Sequence, residues 1–96
     1  MPLISVENDT DSAGGGNIQA TQHTVFVNNK AVIIIGDSAS PDSLCPTQNG
    51  THCNPKSKVG SSSVFVNNKA VHRDKDDRIC GDTNVVVGQT TVFVDS

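Results

Sequence analysis

Three cysteines and three histidines are the side chains of this 96-residue chain that could hold a metal: Cys45, Cys53, Cys80, His23, His52 and His72. Thiolate and imidazole are the donors that suit tetrahedral zinc. Five of the six lie in or beside two loops, around 38–58 and 74–84. His23 stands apart, just before a strand, and reads as a surface or packing histidine. The spacings Cys45-x6-His52 and His72-x7-Cys80 are wider than those of ordinary zinc fingers. On spacing alone two readings stand: a zinc tying the loops together, or reduced cysteines beside solvent histidines. His52 and Cys53 are neighbours, and neighbouring side chains of an extended strand point opposite ways. They are less suited to ligate one ion together unless the loop bends. The odd number of cysteines argues against a disulfide framework.

Other chemistry finds little support. Ser61-Ser62-Ser63 lacks a nucleophile elbow and reads as a turn. Asp74, Asp76 and Asp77 miss the order and glycine of a calcium loop. Gly14-Gly15-Gly16 lacks the strand-then-helix context of a phosphate loop. Asn49-Gly50-Thr51 matches a glycosylation acceptor, but the start of the chain has no secretory signal. A zinc hydrolase would need an open metal position and a general base. The sequence offers enough donors to close the site, so the expectation is a protein that is not an enzyme.

Composition narrows the class further. Val, Ile, Leu and Phe supply 24 of the 96 residues, just above the range of disordered chains. A domain this small usually needs a staple, a metal or a partner. The net charge of −3 argues against binding nucleic acid through counterion release. The longest apolar run, Ala31–Ile35, cannot span a membrane. Synthesis as a soluble cytoplasmic chain is expected.

The elements that would position the cysteines and histidines come from a repeat. VFVNNKAV stands at 25–32 and again at 64–71, and VFV opens a third copy at 92–94. The intervals between copies, 39 and 28 residues, are unequal, so a regular solenoid is excluded. Each full copy reads as a β-hairpin. Val-Phe-Val is strand sequence, Asn-Asn tolerates the positive φ of a type I′ turn, and Lys-Ala-Val returns. The first return strand runs on through Ile33–Ile35, an apolar run expected to be covered on both faces. The second turns polar at His72-Arg73. Val85–Val87 reads as a further strand, with Gly88-Gln89 as the turn into the last one. No stretch has helical periodicity. The expectation is one all-β domain over 1–96, with hairpins at about 24–37, 63–73 and 85–94. Alternation puts Phe26, Phe65 and Phe93 opposite Val25, Val64 and Val92. One set should fill the core and the other face a base or flank.

The unit Ser/Thr-Val-Phe-Val-Asn-Asn-Lys-Ala-Val, followed by Gly36-Asp37 in the first copy, resembles the PAAR-repeat family. Asn8-Asp9 and Asp76 sit where the other repeats would carry Gly-Asp. Cys45-Pro46 with His52 is similar to the family's Cys-Pro…His loop, and Ile79-Cys80-Gly81 to its Ser-Cys-Gly loop. The Pro-Ala-Ala-Arg tetrad itself is degenerate. The family's first-loop histidine would fall on Ala13, so one ligand must come from elsewhere. The resemblance implies a small cone-shaped domain of short hairpins, with a pseudo-threefold base and an apex pinned by a structural zinc. The ligand set it implies is Cys45, His52, His72 and Cys80, with Cys53 as the substitute for His72. It also implies a partner, a trimeric β-helical spike capped by one monomer per trimer, in the baseplate of a phage tail or in a type VI secretion system. Contact with a host outer membrane would be transient, and no small-molecule substrate is implied. An unrelated zinc-binding interaction module is the alternative of another class.

Overall fold

The structure is a computed structural model that describes residues 2–12, 17–40, 56–79 and 81–94. Among them the secondary structure is strand, bridge and turn throughout, as the sequence predicts. The strands are β1 (Thr10–Asp11), β2 (Phe26–Val27), β3 (Lys30–Ala31), β4 (Phe65–Val66), β5 (Lys69–Ala70) and β6 (Asn84–Val85).

The duplicated octapeptide makes two antiparallel hairpins of the same register. Phe26 faces Ala31 and Val27 faces Lys30 in the first; Phe65 faces Ala70 and Val66 faces Lys69 in the second. Asn28 and Asn29, like Asn67 and Asn68, hold φ of 52° and 66°, the left-handed pair a type I′ turn requires.

The third corner is assembled differently from the expected 85–94 hairpin. Phe93 bridges Leu3 at the other end of the sequence. Ile4 N–H donates to the Val92 carbonyl at 3.0 Å and Val94 N–H to the Pro2 carbonyl at 2.9 Å. Residues 2–4 thus stand where β3 and β5 stand in the other two corners. Meanwhile Val85 is occupied with Thr10, and Val86 and Val87 donate their N–H groups to Asp74 and Asp9. Ile4 lies 28 residues before Val32, the same interval that separates Val64 from Val92.

The three corners meet in a closed ring of backbone hydrogen bonds. Ser5 N–H donates to His72 O (2.9 Å), His72 N–H to Ile33 O (2.8 Å), and Ile33 N–H to Ser5 O (3.0 Å). A second threefold set follows one layer out. Glu7 donates to Ala31 O (3.0 Å), Ile35 to Ala70 O (3.0 Å) and Asp74 to Leu3 O (2.9 Å). Each arm then ends in the same turn. Asp9, Asp37 and Asp76 donate their N–H back to Val6, Ile34 and Arg73, and their carboxylates accept the N–H of those residues at 2.8, 3.0 and 2.9 Å. Asn8, Gly36 and Lys75 take the positive φ that each turn demands.

Alternation about the ring creates two cores. Ile4, Val32 and Val71 point to the hairpin side and cluster with Val94, Val27, Val64 and Val66. Their neighbours Ser5, Ile33 and His72 point to the loop side, where Ile33 packs on Ile18 and Ala39. The run from Ala31 to Ile34 is therefore buried on both faces, as its unbroken apolar character predicts. The phenylalanines take the outward position: Phe26, Phe65 and Phe93 are 51, 57 and 47% exposed. Of the valines, it is mainly the second member of each Val-Phe-Val that reaches the core.

Three residues upstream of each Val-Phe-Val a buried side chain fixes the entry of the strand. The Gln22 carboxamide oxygen accepts from Thr24 and Val25, and the Gln89 oxygen from Thr91 and Val92. Their Nε2 atoms donate across the hairpin to Val32 O and Ile4 O. The equivalent Ser61 is shorter. Its hydroxyl accepts from Ser63 and Val64, and its own N–H reaches Val71 O at 2.8 Å. That approach needs a glycine before it, because a Cβ on Gly60 would lie 2.6 Å from Val71 O and 2.9 Å from Ala70 Cβ. Gly60→Ala should cost about 1–3 kcal/mol through overpacking against backbone. Gly36→Ala meets no atom within 4 Å, yet carries the φ of +91°, and should cost about 1 kcal/mol. Urea denaturation of the two variants checks the order.

Candidate functional site

On the loop side of the ring the threefold pattern gives way to three unlike sectors. Each is built from a ring residue, the residue two beyond a turn aspartate, and a bridging partner. In the first sector these are Ile33, Ala39 and Ile18, all apolar. In the second they are Ser5, Asp11 and Asn84. In the third they are His72, Arg78 and Ser57.

The second and third sectors share one buried polar network. Arg78 is 1% exposed. Its guanidinium donates to Asn84 Oδ1 and Thr10 O at 2.9 Å and lies 3.4 Å from Asp11 Oδ2. A buried pair of this kind is weak as a source of stability, but removing one partner strands the other charge. Asn84 Nδ2 donates to Ser5 Oγ at 2.9 Å, and Ser5 Oγ to Asp9 Oδ2 at 2.8 Å. Asp9 is wholly buried and accepts four hydrogen bonds: Ser5 Oγ and Val6 N on Oδ2, Val87 N and Gly88 N on Oδ1. One carboxylate thus joins the first arm to the strand that leads into the third corner.

His72 is the only member of the expected ligand set among the described residues. The polar end of the second return strand does not face solvent: His72 is 0% exposed, drawn inward by its place in the ring. Its Nδ1 lies 2.7 Å from the Val59 carbonyl, which can only accept, so Nδ1 carries the proton. Nε2 is then a lone-pair acceptor, and it has no hydrogen-bond partner among the described residues. Burial pushes the imidazole pKa down to about 4, against the opposing pull of the Val59 carbonyl and Asp76; Arg78 and Arg73 push it further down. A neutral ring with Nδ1–H held by a backbone carbonyl and a free Nε2 is how a metal-binding histidine is oriented.

Cys45, His52, Cys53 and Cys80 lie outside the described residues. Their flanks are nonetheless tied together beside His72. Ser57 bridges Arg78, and Ile79 N–H donates to Lys56 O at 2.9 Å. Among the described residues no three His, Cys, Asp or Glu side chains gather as a metal group. His23 is exposed and lies 4.0 Å from Glu7 Oε2, in keeping with a surface histidine. Sequence reasoning missed Asp9 as a hub and the Gln22, Ser61, Gln89 set. The second had a signal, a polar residue three before every Val-Phe-Val.

A family model, the PAAR motif, matches residues 7–87. The chain belongs to the PAAR-motif family, whose members are associated with the spike tips of puncturing devices. Comparison with curated proteins gives no match.

Two outcomes are expected. Asp9→Ala leaves buried N–H groups without acceptors and should cost at least about 3 kcal/mol in urea denaturation. In metal-stripped protein, an unfolded histidine takes its proton near pH 6.5 and His72 only near 4. Between those values the unfolded state binds more protons, so stability is full above pH 6.5 and is lost as pH falls towards 4. The loss should total about 3 kcal/mol. His72→Asn should flatten that part of the profile.

Proposed function

We propose that this chain is a structural tip that caps and sharpens a trimeric β-helical spike, in the manner of the central spike tip in T4-like contractile phage tails. The carrying observation is the hairpin face. Around a closed threefold backbone ring, three equivalent corners each present an exposed phenylalanine. A threefold partner can meet all three with one repeated contact. Each ring is already half buried, so covering the rest is worth about 1–1.5 kcal/mol, and three together supply a seat for a domain that does no chemistry. The trimer in turn ends in unpaired strand edges, and a flat β face covers them. The work is mechanical, at the baseplate, with transient contact to a host outer membrane as the tip is driven through.

At the other end the reading includes a structural zinc. His72 Nε2 fits the role of ligand, and Cys45, His52 and Cys80 would complete the set, with Cys53 the substitute. A zinc held by imidazole and thiolate cross-links segments that are too few to bury a core of their own. His72 is preferred to Cys53 because its Nε2 is buried and unmatched by any donor among the described residues.

Native mass spectrometry tests both parts at once. Mixed with a trimeric β-helical spike fragment, the protein should form a one-to-three complex and carry one zinc per chain. Phe26→Ser with Phe65→Ser should weaken the complex at least about tenfold, given that covering the exposed halves of the two rings is worth about 2 kcal/mol together, and leave the zinc in place. Cys45→Ser or Cys80→Ser should lose zinc. Folded protein that takes neither metal nor trimer would overturn the reading. Co-purification with secretion sheaths rather than tail particles would move the same contact to a type VI machine.

A further inference from the structure

We infer that the third corner is a seam, the one place around the ring where the hairpin face can open without breaking the rest of the fold. The three corners make the same hydrogen bonds. Val32 N–H donates to Val25 O at 3.1 Å, Val71 N–H to Val64 O at 3.1 Å, and Ile4 N–H to Val92 O at 3.0 Å. In the first two the paired strands are joined by an Asn-Asn turn. In the third no turn joins Val94 to Pro2, and the paired strands lie far apart in the sequence, at 2–4 and 92–94.

This difference acts on opening. In a closed hairpin a broken bond leaves its partners a few residues apart along the chain, and closure is quick and entropically cheap. At the seam the two strands are held together by Ile4 N–H on Val92 O, Val94 N–H on Pro2 O and the Gln89 carboxamide, which donates to both Ile4 O and Val92 O at 2.8 Å. Leu3 is additionally held from the neighbouring arm by Asp74 N–H at 2.9 Å. Past Ile4 the chain enters the ring at Ser5 and is locked by Asp9. Opening therefore stops at residue 4 and frees residues 92–94, Phe93 included, as an unpaired strand edge on the hairpin face. Two corners of that face are rigid and the third can adjust. Because the two strands are antiparallel and adjacent, force that draws residue 2 away from residue 94 peels the seam one bond at a time.

The three corners are their own controls. Amide hydrogen exchange of the full chain, read residue by residue by NMR, compares Ile4 with Val32 and Val71, and Val94 with Val27 and Val66. The expected result is exchange at Ile4 and Val94 at least about tenfold faster than at their equivalents, as local opening below the global unfolding energy requires. A closed variant extends the test. Met1 is removed, residue 96 is joined to residue 2, and Asp95→Asn, Ser96→Asn and Pro2→Lys recreate the Val-Asn-Asn-Lys turn. Protection at Ile4 and Val94 should then rise to the level of the other corners. Equal protection at all three corners in the unmodified chain overturns the inference, whether or not the closed variant folds. So does a folded closed variant in which the difference persists.

Discussion

Three backbone hydrogen bonds, joining Ser5, His72 and Ile33 in a closed circuit, hold this fold together. None of the hairpins could stand alone, since an isolated two-stranded pair is marginal in water. The circuit joins them with groups that every residue carries, so it places no demand on side-chain type. Its side chains are free to differ, and they do: a hydroxyl, a butyl group and an imidazole occupy equivalent places. Alternation about the same ring sends Ile4, Val32 and Val71 one way and these three the other. One side of the molecule is therefore repetitive and the other individual.

That division explains how far the sequence could be read. The two full hairpins are local: eight residues fix strand, turn and return, and Asn-Asn names the turn type. The aspartate turns were placed at Asp9, Asp37 and Asp76 only through the resemblance to the repeat family; that each carboxylate bonds the backbone three residues before it is visible in the structure alone. The third corner was not legible, because it pairs residue 3 with residue 93 and nothing local announces that. A trace existed in the interval of 28 residues between Ile4 and Val32, which repeats the interval between the second and third Val-Phe-Val. On the loop side, the sequence showed only that the second return strand turns polar at His72-Arg73. The ring carries His72 inward, and Arg73 is satisfied by Asp76, with Nε to Oδ2 at 2.8 Å.

Small side chains also carry more of the architecture than composition suggests. Gln22, Ser61 and Gln89 do one task with two lengths of side chain, and the shorter one brings the backbone closer. The glycine at 60 is the counterpart of that shortening. Asp9 shows the opposite economy: four donors converge on one carboxylate, which holds the segment at Val87-Gly88. A domain with a thin core relies on such directional contacts.

The ring also sets an order on synthesis. Its members stand at positions 5, 33 and 72, and the strand that covers residues 2–4 is made after both full hairpins. As the chain emerges from a ribosome, the first hairpin can form early, and the second after it. The opening residues must wait, unpaired, until position 94 is clear of the exit. Contacts this distant in sequence make folding slow relative to local hairpin closure. The hairpin face is thus completed in one late step, by residues 2–4 and 92–94, and no chain that stops short of residue 94 holds it.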